Sequence, residues 1–278
     1  MIAHGLVGCC RLRHHARMAE TTIHPTAIVD PNARLGEGVH VAAYAVIGAG
    51  VEVGDHCVIG PHAVLEGPLQ LGPRNIISAH ATLGLPPQDN GYQGEPTRLE
   101  IGADNQLREF VTLHRASTKE DGVTRLGNRN LLMAYSHVGH DGQLGDDITI
   151  SNASQLAGHV HVADRAYISA VCGIHQFVHI GTLAMVGGGA VVTQDVAPFC
   201  TVTGNRARLR GLNSRGMERA GMDADSRRLI RRCYQVIFRS GMKLDEALHE
   251  IAADPGLQHP AVNQMIDFIR ASDRGVIR

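Results

Sequence analysis

The stretch IHPTAIVDPNARLGEGVHVAAYAVIGAGVEV, residues 23 to 53, places a branched aliphatic at every sixth position: Ile23, Val29, Leu35, Val41, Ile47 and Val53. The spacing continues through Ile59, Leu65, Leu71 and Ile77 to Leu83. A second run extends from Leu126 through Leu132, Val138, Leu144, Ile150, Leu156, Val162, Ile168, Ile174, Ile180 and Val186 to Val192. Between the runs Ile101, Leu107 and Leu113 keep the step, and the phase slips by one residue before Leu126. A period of six fits neither the 3.6 of a helix nor the 2 of a strand. It fits a solenoid whose short strands turn a corner every hexad, with one aliphatic pointing inward per face.

The other slots of the hexad are patterned as well. Glycine often follows the aliphatic (Gly36, Gly54, Gly60, Gly139, Gly187), where it is expected to ease the turn. The slot four after the aliphatic is usually small, as at Ala45, Ala63, Ser154 and Ala184. Cys57 and Cys172 fall in that slot, so buried packing is their expected role. Two stretches interrupt the pattern, LPPQDNGYQGEPTR (85 to 98) and RASTKEDGVT (115 to 124). Both are rich in Gly, Pro and polar residues and are expected to protrude as loops that mark a cleft on an otherwise smooth wall.

Composition bounds the function. A formal net charge of -1 argues against a nucleic-acid binder, which needs a basic excess to neutralise phosphates. The charge is uneven: residues 204 to 278 hold fourteen of the 26 Lys+Arg against nine acids, leaving twelve bases against eighteen acids upstream. A basic tail section suits an acidic partner. The six cysteines show no zinc spacing, and a reducing cytoplasm is the expected compartment. No apolar run is long enough for a transmembrane segment. Residues 1 to 20 read as a flexible N-terminal extension whose bases follow its apolar run, the wrong order for a secretory signal.

The hexads give a β-solenoid over 21 to 205, and a helical domain follows over 206 to 278. LIRRCYQVIF (229 to 238) has helical spacing, with Asp223 or Asp225 as its N-cap and Gly241 closing it. LDEALHEIA (244 to 252) and PAVNQMIDFIRA (260 to 271) follow, the latter opening on Pro260.

Six of the 17 histidines lie between 137 and 179, beginning with HVGHD at 137 to 141. The spacing resembles that of hexapeptide-repeat solenoids, and the resemblance implies three hexads per coil, so that Asp141 and His159 would stack directly and His140 would sit beside them. His175 occupies a slot where small residues dominate, which points to function. Zinc is one reading of such a cluster. Known β-helix lyases of that kind use two histidines with four residues between them, and no two histidines here are five positions apart, so no metal is expected. General-base chemistry is the other reading. A histidine can take a proton from a hydroxyl, worth about 10² to 10⁴ in rate, with a neighbouring carboxylate fixing its tautomer. Asp141 next to His140 meets that requirement only if the chain turns there, because side chains adjacent along a strand point to opposite faces. Gly139 and Gly142 would allow such a turn. Ser136, Ser151 and Ser154 sit in no nucleophile elbow, so direct attack by a substrate hydroxyl is simpler than a covalent intermediate.

The repeat resembles that of the hexapeptide-repeat proteins, an all-β class folded as a left-handed parallel β-helix. The segments IHPTAIVDP, GEPTRLEIG, VTLHR, NLLMAYSHVGHD, LAGHV, GIHQF, MVGGG, TGN and the ending RGVIR, in this order, resemble one family within it. That family is the acyl-[acyl-carrier-protein]:UDP-N-acetylglucosamine O-acyltransferases, and the likeness covers about residues 21 to 278. It implies transfer of an R-3-hydroxyacyl group from acyl-carrier-protein to the glucosamine 3-hydroxyl of UDP-N-acetylglucosamine, the first step of lipid A synthesis. It implies a homotrimer, no cofactor, no nucleic acid and cytoplasmic location. His140 lines up with the general base, Asp141 with its partner and the Gly158 amide with the oxyanion donor. Asp89, His114, His137, His159, His175, Gln176, Asn213 and Arg219 line up with substrate-contacting positions, and Gly188 with one that limits acyl-chain length. Three departures stand out: Gly91 replaces a lysine common in the family, Ala220 replaces a second arginine, and residues 1 to 17 have no counterpart. The rival readings are the later N-acyltransferase of the same pathway, whose members carry an extra N-terminal nucleotide-binding domain, a zinc lyase, and a non-catalytic scaffold.

Overall fold

The computed structural model describes residues 20–278. The expected N-terminal extension falls almost wholly outside the described residues, as do Cys9 and Cys10.

Short strands stack into sheets of eleven, nine and eight strands, all parallel except the last pair of the largest sheet, and, that pair apart, consecutive strands in the chain join different sheets. Thr22 pairs with His40, Arg34 with Glu52 and Val46 with Val64, a separation of eighteen residues each time. Three hexads therefore make one coil of a three-sided prism. The every-sixth aliphatics fill its axis: Val41, Ile59, Ile77, Leu107 and Leu132 are all fully buried. Cys57 and Cys172 are buried beside them, and burial pushes the Cys57 thiol up to about 11.

The two interruptions explain the phase of the repeat. Ile77 pairs with Leu107, thirty residues on, so the first loop adds twelve residues, two whole hexads. Leu107 pairs with Leu132, twenty-five on, so the second adds seven and shifts the phase by one.

The corners differ from the expectation. The residue three after most inward aliphatics, not the glycine one after them, takes the left-handed conformation: Tyr44 (φ 60°), Asp141 (φ 58°), His159 (φ 61°) and Leu183 (φ 55°). Such a conformation costs about 1–2 kcal/mol per non-glycine residue, offset by the pairing of the coils. The glycines serve close approach instead. A Cβ on Gly54 would lie 2.7 Å from the Gly72 carbonyl carbon, and one on Gly139 would lie 2.7 Å from that of Ala157. An internal asparagine ladder spans the coils that carry the loops. Asn75 Oδ1 accepts from the Asn105 side chain at 2.9 Å, Asn105 Oδ1 from the Asn130 amide at 2.9 Å, and Asn130 Oδ1 from the Ile148 amide at 2.7 Å.

At the far end, strand Cys200–Thr203 turns back antiparallel onto Arg208–Leu212, and four helices follow: α1 Ser214–Arg219, α2 Ala224–Arg239, α3 Leu244–Ala253 and α4 Pro260–Arg270. Asp223 caps α2 by accepting from the Ser226 amide, Gly241 follows it with φ 81°, and Pro260 opens α4. The helices bury Cys233, Ile237, Val262 and Met265 against Phe199 and Leu183 at the prism end. The chain then returns to the prism. Asp195, buried, accepts from the His179 amide at 2.7 Å and from Ser272 Oγ at 2.6 Å, and Ile277 enters the prism core. Among the described residues no helix is long and apolar enough to cross a membrane.

Candidate active site

Both loops leave the prism at the same edge. The first runs from strand Thr82–Leu85 to Arg98–Ile101, and the second from Thr112–His114 to Val123–Leu126, on consecutive coils between the same two sheets. The next coil turns that edge at Asp141 and the one after it at His159. The insertions therefore stand beside the histidine cluster, a placement that follows from the coil count.

The left-handed backbone at Asp141 lets two adjacent side chains meet: His140 Nδ1 lies 2.7 Å from Asp141 Oδ2. Gly139 and Gly142, expected to make this turn, do not have positive φ. The Asp141 side chain is fully buried and accepts further from Ser117 Oγ at 2.7 Å and from the Ser117 amide at 3.1 Å, while its own amide donates to Thr124 Oγ1 at 2.8 Å. Burial pushes its carboxyl up, but the hydrogen bonds from His140 and Ser117 outweigh this and hold it below the usual range. A carboxylate kept ionised in this way fixes His140 with Nδ1 protonated and Nε2 free to accept a proton.

Gly158 sits over that ring. A Cβ there would lie 2.7 Å from His140 Nε2 and 2.6 Å from Cε1, so only glycine leaves the imidazole its place. Among the described residues the Gly158 amide donates to no other group. His159 follows, stacked on Phe177 (centroids 4.3 Å apart) and edge-on to His140 (5.1 Å, 88°). Its Nδ1 is 2.6 Å from Glu120 Oε1 and its Nε2 3.6 Å from Asp141 Oδ2.

His137 lies one strand position before the inward Val138, and its Nδ1 meets Thr112 Oγ1 at 2.8 Å. Burial, reinforced by His114 and His140 nearby, depresses its pKa to about 4, so it is neutral at neutral pH. His114 is buried with Nδ1 2.6 Å from the Pro86 carbonyl, its ring edge-on to His137. Asp89 reaches the cluster from the first loop. Lys119 Nζ, from the second loop, lies 2.6 Å from its Oδ2 and, with the Gly91 amide, holds its carboxyl below the usual range. The cation beside Asp89 thus comes from position 119, not from position 91.

The remaining expected residues are spread out. His175 and Gln176 are exposed one coil beyond His159, and a shallow groove of about 290 Å³ joins His175 to His137 across Gln155, Gly173 and Val191. A Cβ on Gly188 would meet nothing closer than 3.5 Å, and Gly188 lies at the edge marked by Gly189 and Val171. Asn213 and Arg219 line a cleft of about 950 Å³ at a third location, beside α1. Asn213 caps α1 by accepting from the Gly216 amide at 3.0 Å and donates to the Leu183 carbonyl at 2.9 Å. Ser117, Lys119 and Glu120 were not singled out from the sequence; their only signal was membership of a loop that breaks the repeat.

His140, Asp141 and His159 bring their ligating atoms within 4.8 Å of one another, close enough to consider for a cation. The His140 and Asp141 atoms are engaged with each other and with Ser117, which suits proton transfer better than metal ligation.

A prism of hexad coils with a buried histidine–carboxylate pair at one edge defines a hexapeptide-repeat transferase. Residues 32–67 match the bacterial transferase hexapeptide family, and residues 195–277 match domain 2 of UDP-N-acetylglucosamine O-acyltransferase. A protein of Alkalilimnicola ehrlichii named acyl-[acyl-carrier-protein]–UDP-N-acetylglucosamine O-acyltransferase is 54% identical over 93% of this chain and 100% of its own length. One of the same name from Herminiimonas arsenicoxydans is 48% identical over 92% of this chain and 99% of its own. Among solved structures, the UDP-N-acetylglucosamine acyltransferase of Bacteroides fragilis superposes with a TM-score of 0.89 at 34% identity, covering 92% of this chain and 100% of that one. The chain belongs to the acyl-[acyl-carrier-protein]–UDP-N-acetylglucosamine O-acyltransferase family, and its prism is a left-handed parallel β-helix.

Proposed function

We propose that this chain transfers an R-3-hydroxyacyl group from acyl-carrier-protein to the glucosamine 3-hydroxyl of UDP-N-acetylglucosamine, the first step of lipid A synthesis, with His140 as general base. The observation that carries the mechanism is the 2.7 Å contact between His140 Nδ1 and a fully buried Asp141 carboxylate, which leaves Nε2 facing Gly158. Nε2 takes the proton of the sugar hydroxyl as its oxygen bonds to the thioester carbonyl carbon. The Gly158 amide donates to the developing oxyanion, a contribution commonly worth about 10² to 10³. The carbon–sulfur bond then breaks, and the carrier thiolate recovers the proton from His140. No covalent enzyme intermediate and no cofactor is required.

Asp89, His114, His137, His175 and Gln176 are assigned to the sugar and acyl groups, Asn213 and Arg219 to the nucleotide, and Gly188 to the distal acyl chain, where an open position favours a longer one. His159 is 3% exposed with its Nδ1 held by Glu120, so it is assigned to the wall behind the base instead of to the substrate. Asn213 and Arg219 lie at a different edge from His140 within one chain, which supports a homotrimer whose neighbouring copy completes the site. The basic C-terminal section fits the acidic carrier protein, and cytoplasmic location follows from these substrates. His140→Ala tests the reading: it is expected to keep the wild-type oligomeric state and lose about 10² to 10⁴ of kcat in transfer from hydroxyacyl-carrier-protein. Retention of more than about a tenth of the rate would rule out a base of this size.

A further inference from the structure

The loop at 115 to 124 reaches the site through three nearby residues. Ser117 holds Asp141, Lys119 holds Asp89 and Glu120 holds His159. The first contact supports the orienting carboxylate directly. The third has a less obvious consequence.

His159 Nε2 stands 3.6 Å from Asp141 Oδ2, the same oxygen that His140 Nδ1 meets at 2.7 Å. At that distance His159 makes no hydrogen bond with it, yet a small rotation of its ring would make one. His159 is therefore a potential competitor for the oxygen that orients the base. Two contacts prevent the rotation. Phe177 stacks on one face at 13° between planes, and Glu120 accepts from Nδ1 at 2.6 Å. A carboxylate accepts only, so in the neutral ring it fixes the proton on Nδ1 and leaves Nε2 with nothing to donate to Asp141.

We infer that Glu120 is a positioning residue for acyl transfer: by holding the His159 ring and its tautomer, it keeps Asp141 Oδ2 for His140. It touches neither the reacting atoms nor Asp141. The inference rests on the assignment of His140 as base.

The test measures kcat and KM for wild type, Glu120→Ala, Glu120→Gln, His159→Phe and the double variant Glu120→Ala/His159→Phe, together with the ¹⁵N shifts of the His159 ring. Glu120→Ala is expected to lower kcat about tenfold, with KM for both substrates within about twofold, as expected for a small misplacement of a catalytic group. Glu120→Gln keeps an acceptor for Nδ1 and is expected to recover kcat to within about threefold. In the His159→Phe background, where no ring nitrogen competes, removing Glu120 is expected to change kcat less than about twofold, because the two residues act as one unit. The ring shifts should move from the Nδ1-protonated pattern in Glu120→Ala and stay in Glu120→Gln. Additive losses in the double variant, an unchanged kcat in Glu120→Ala, or unaltered ring shifts would each overturn the inference. An active His140→Ala would instead overturn the base assignment, leaving the ring shifts as an independent reading of the Glu120 contact.

Discussion

Two edges of the same prism use one backbone conformation for opposite purposes. Along one edge the left-handed corner slot holds Tyr44, His62, His80, Phe110 and Tyr135, whose rings stack face to face with centroids 4.8 to 5.0 Å apart, matching the spacing of paired strands. Tyr44 and Tyr135 are 57% and 59% exposed. Along the edge that carries the loops, the same slot holds Asp141, His159 and Phe177; Asp141 is fully buried and His159 3% exposed. The corner geometry is common to both. What differs is the covering: two insertions on consecutive coils exclude water from Asp141 and His159, while Phe177 on the next coil stays 44% exposed, and the insertions supply Ser117, Lys119 and Glu120 to the charges there. A regular corner presents side chains outward, and only a second layer of chain turns it into a low-dielectric site where a carboxylate can hold a histidine.

The contrast can be broken first at the covered edge. Asp141→Asn keeps the shape of the side chain but removes the charge and allows the wrong His140 tautomer, so kcat is expected to fall on the order of 10² to 10⁴ in steady-state assays, with the coil intact by circular dichroism. Gly158→Ala introduces a Cβ 2.7 Å from His140 Nε2 and is expected to cost about 10²-fold in kcat by displacing the ring. A Gly158→Ala enzyme with wild-type kcat would show that the ring has room that its packing denies.

Stability separates the regions next. Asn105→Ala removes a rung that donates to Asn75 and to the Gly127 carbonyl and accepts from the Asn130 amide, leaving buried partners unpaired. A loss of about 2–4 kcal/mol by denaturant unfolding is expected, with kcat unchanged well below the transition. His137 supplies a pH signature. Its folded pKa of about 4 lies below the ordinary value of 6.5, so its contribution to stability is full above pH 6.5 and is lost as pH falls through 4. The thermal midpoint of His137→Asn should accordingly fall less than that of wild type between pH 6.5 and 4. At the exposed edge, Phe110→Ala is expected to cost only about 1 kcal/mol and leave kcat alone. A loss of several kcal/mol there would mean that another copy of the chain covers the ladder.

Much of this was legible in one dimension. The six-residue spacing located the inward aliphatics and the packing role of Cys57 and Cys172, and the resemblance to coils of three hexads added the stacking of Asp141 under His159, because a solenoid repeats its neighbours at a fixed sequence distance. The asparagines at 75, 105 and 130 occupy the same small-residue slot, yet their ladder went unread because two irregular loops hide the interval between them. The glycine after the aliphatic was visible and misassigned: its value lies in the neighbouring coil's backbone, which a single strand's sequence does not display.

The sequence by itself determined the prism, its core, the helices that close it and the residue types of a base and its carboxylate, since each follows from local periodicity or capping chemistry. Only the tertiary structure decided that His140 and Asp141 meet, because that depends on which residue of the hexad takes the left-handed corner. It alone decided that Lys119 serves Asp89 and Glu120 serves His159, because insertions of twelve and seven residues follow no repeat and dock by long-range contacts.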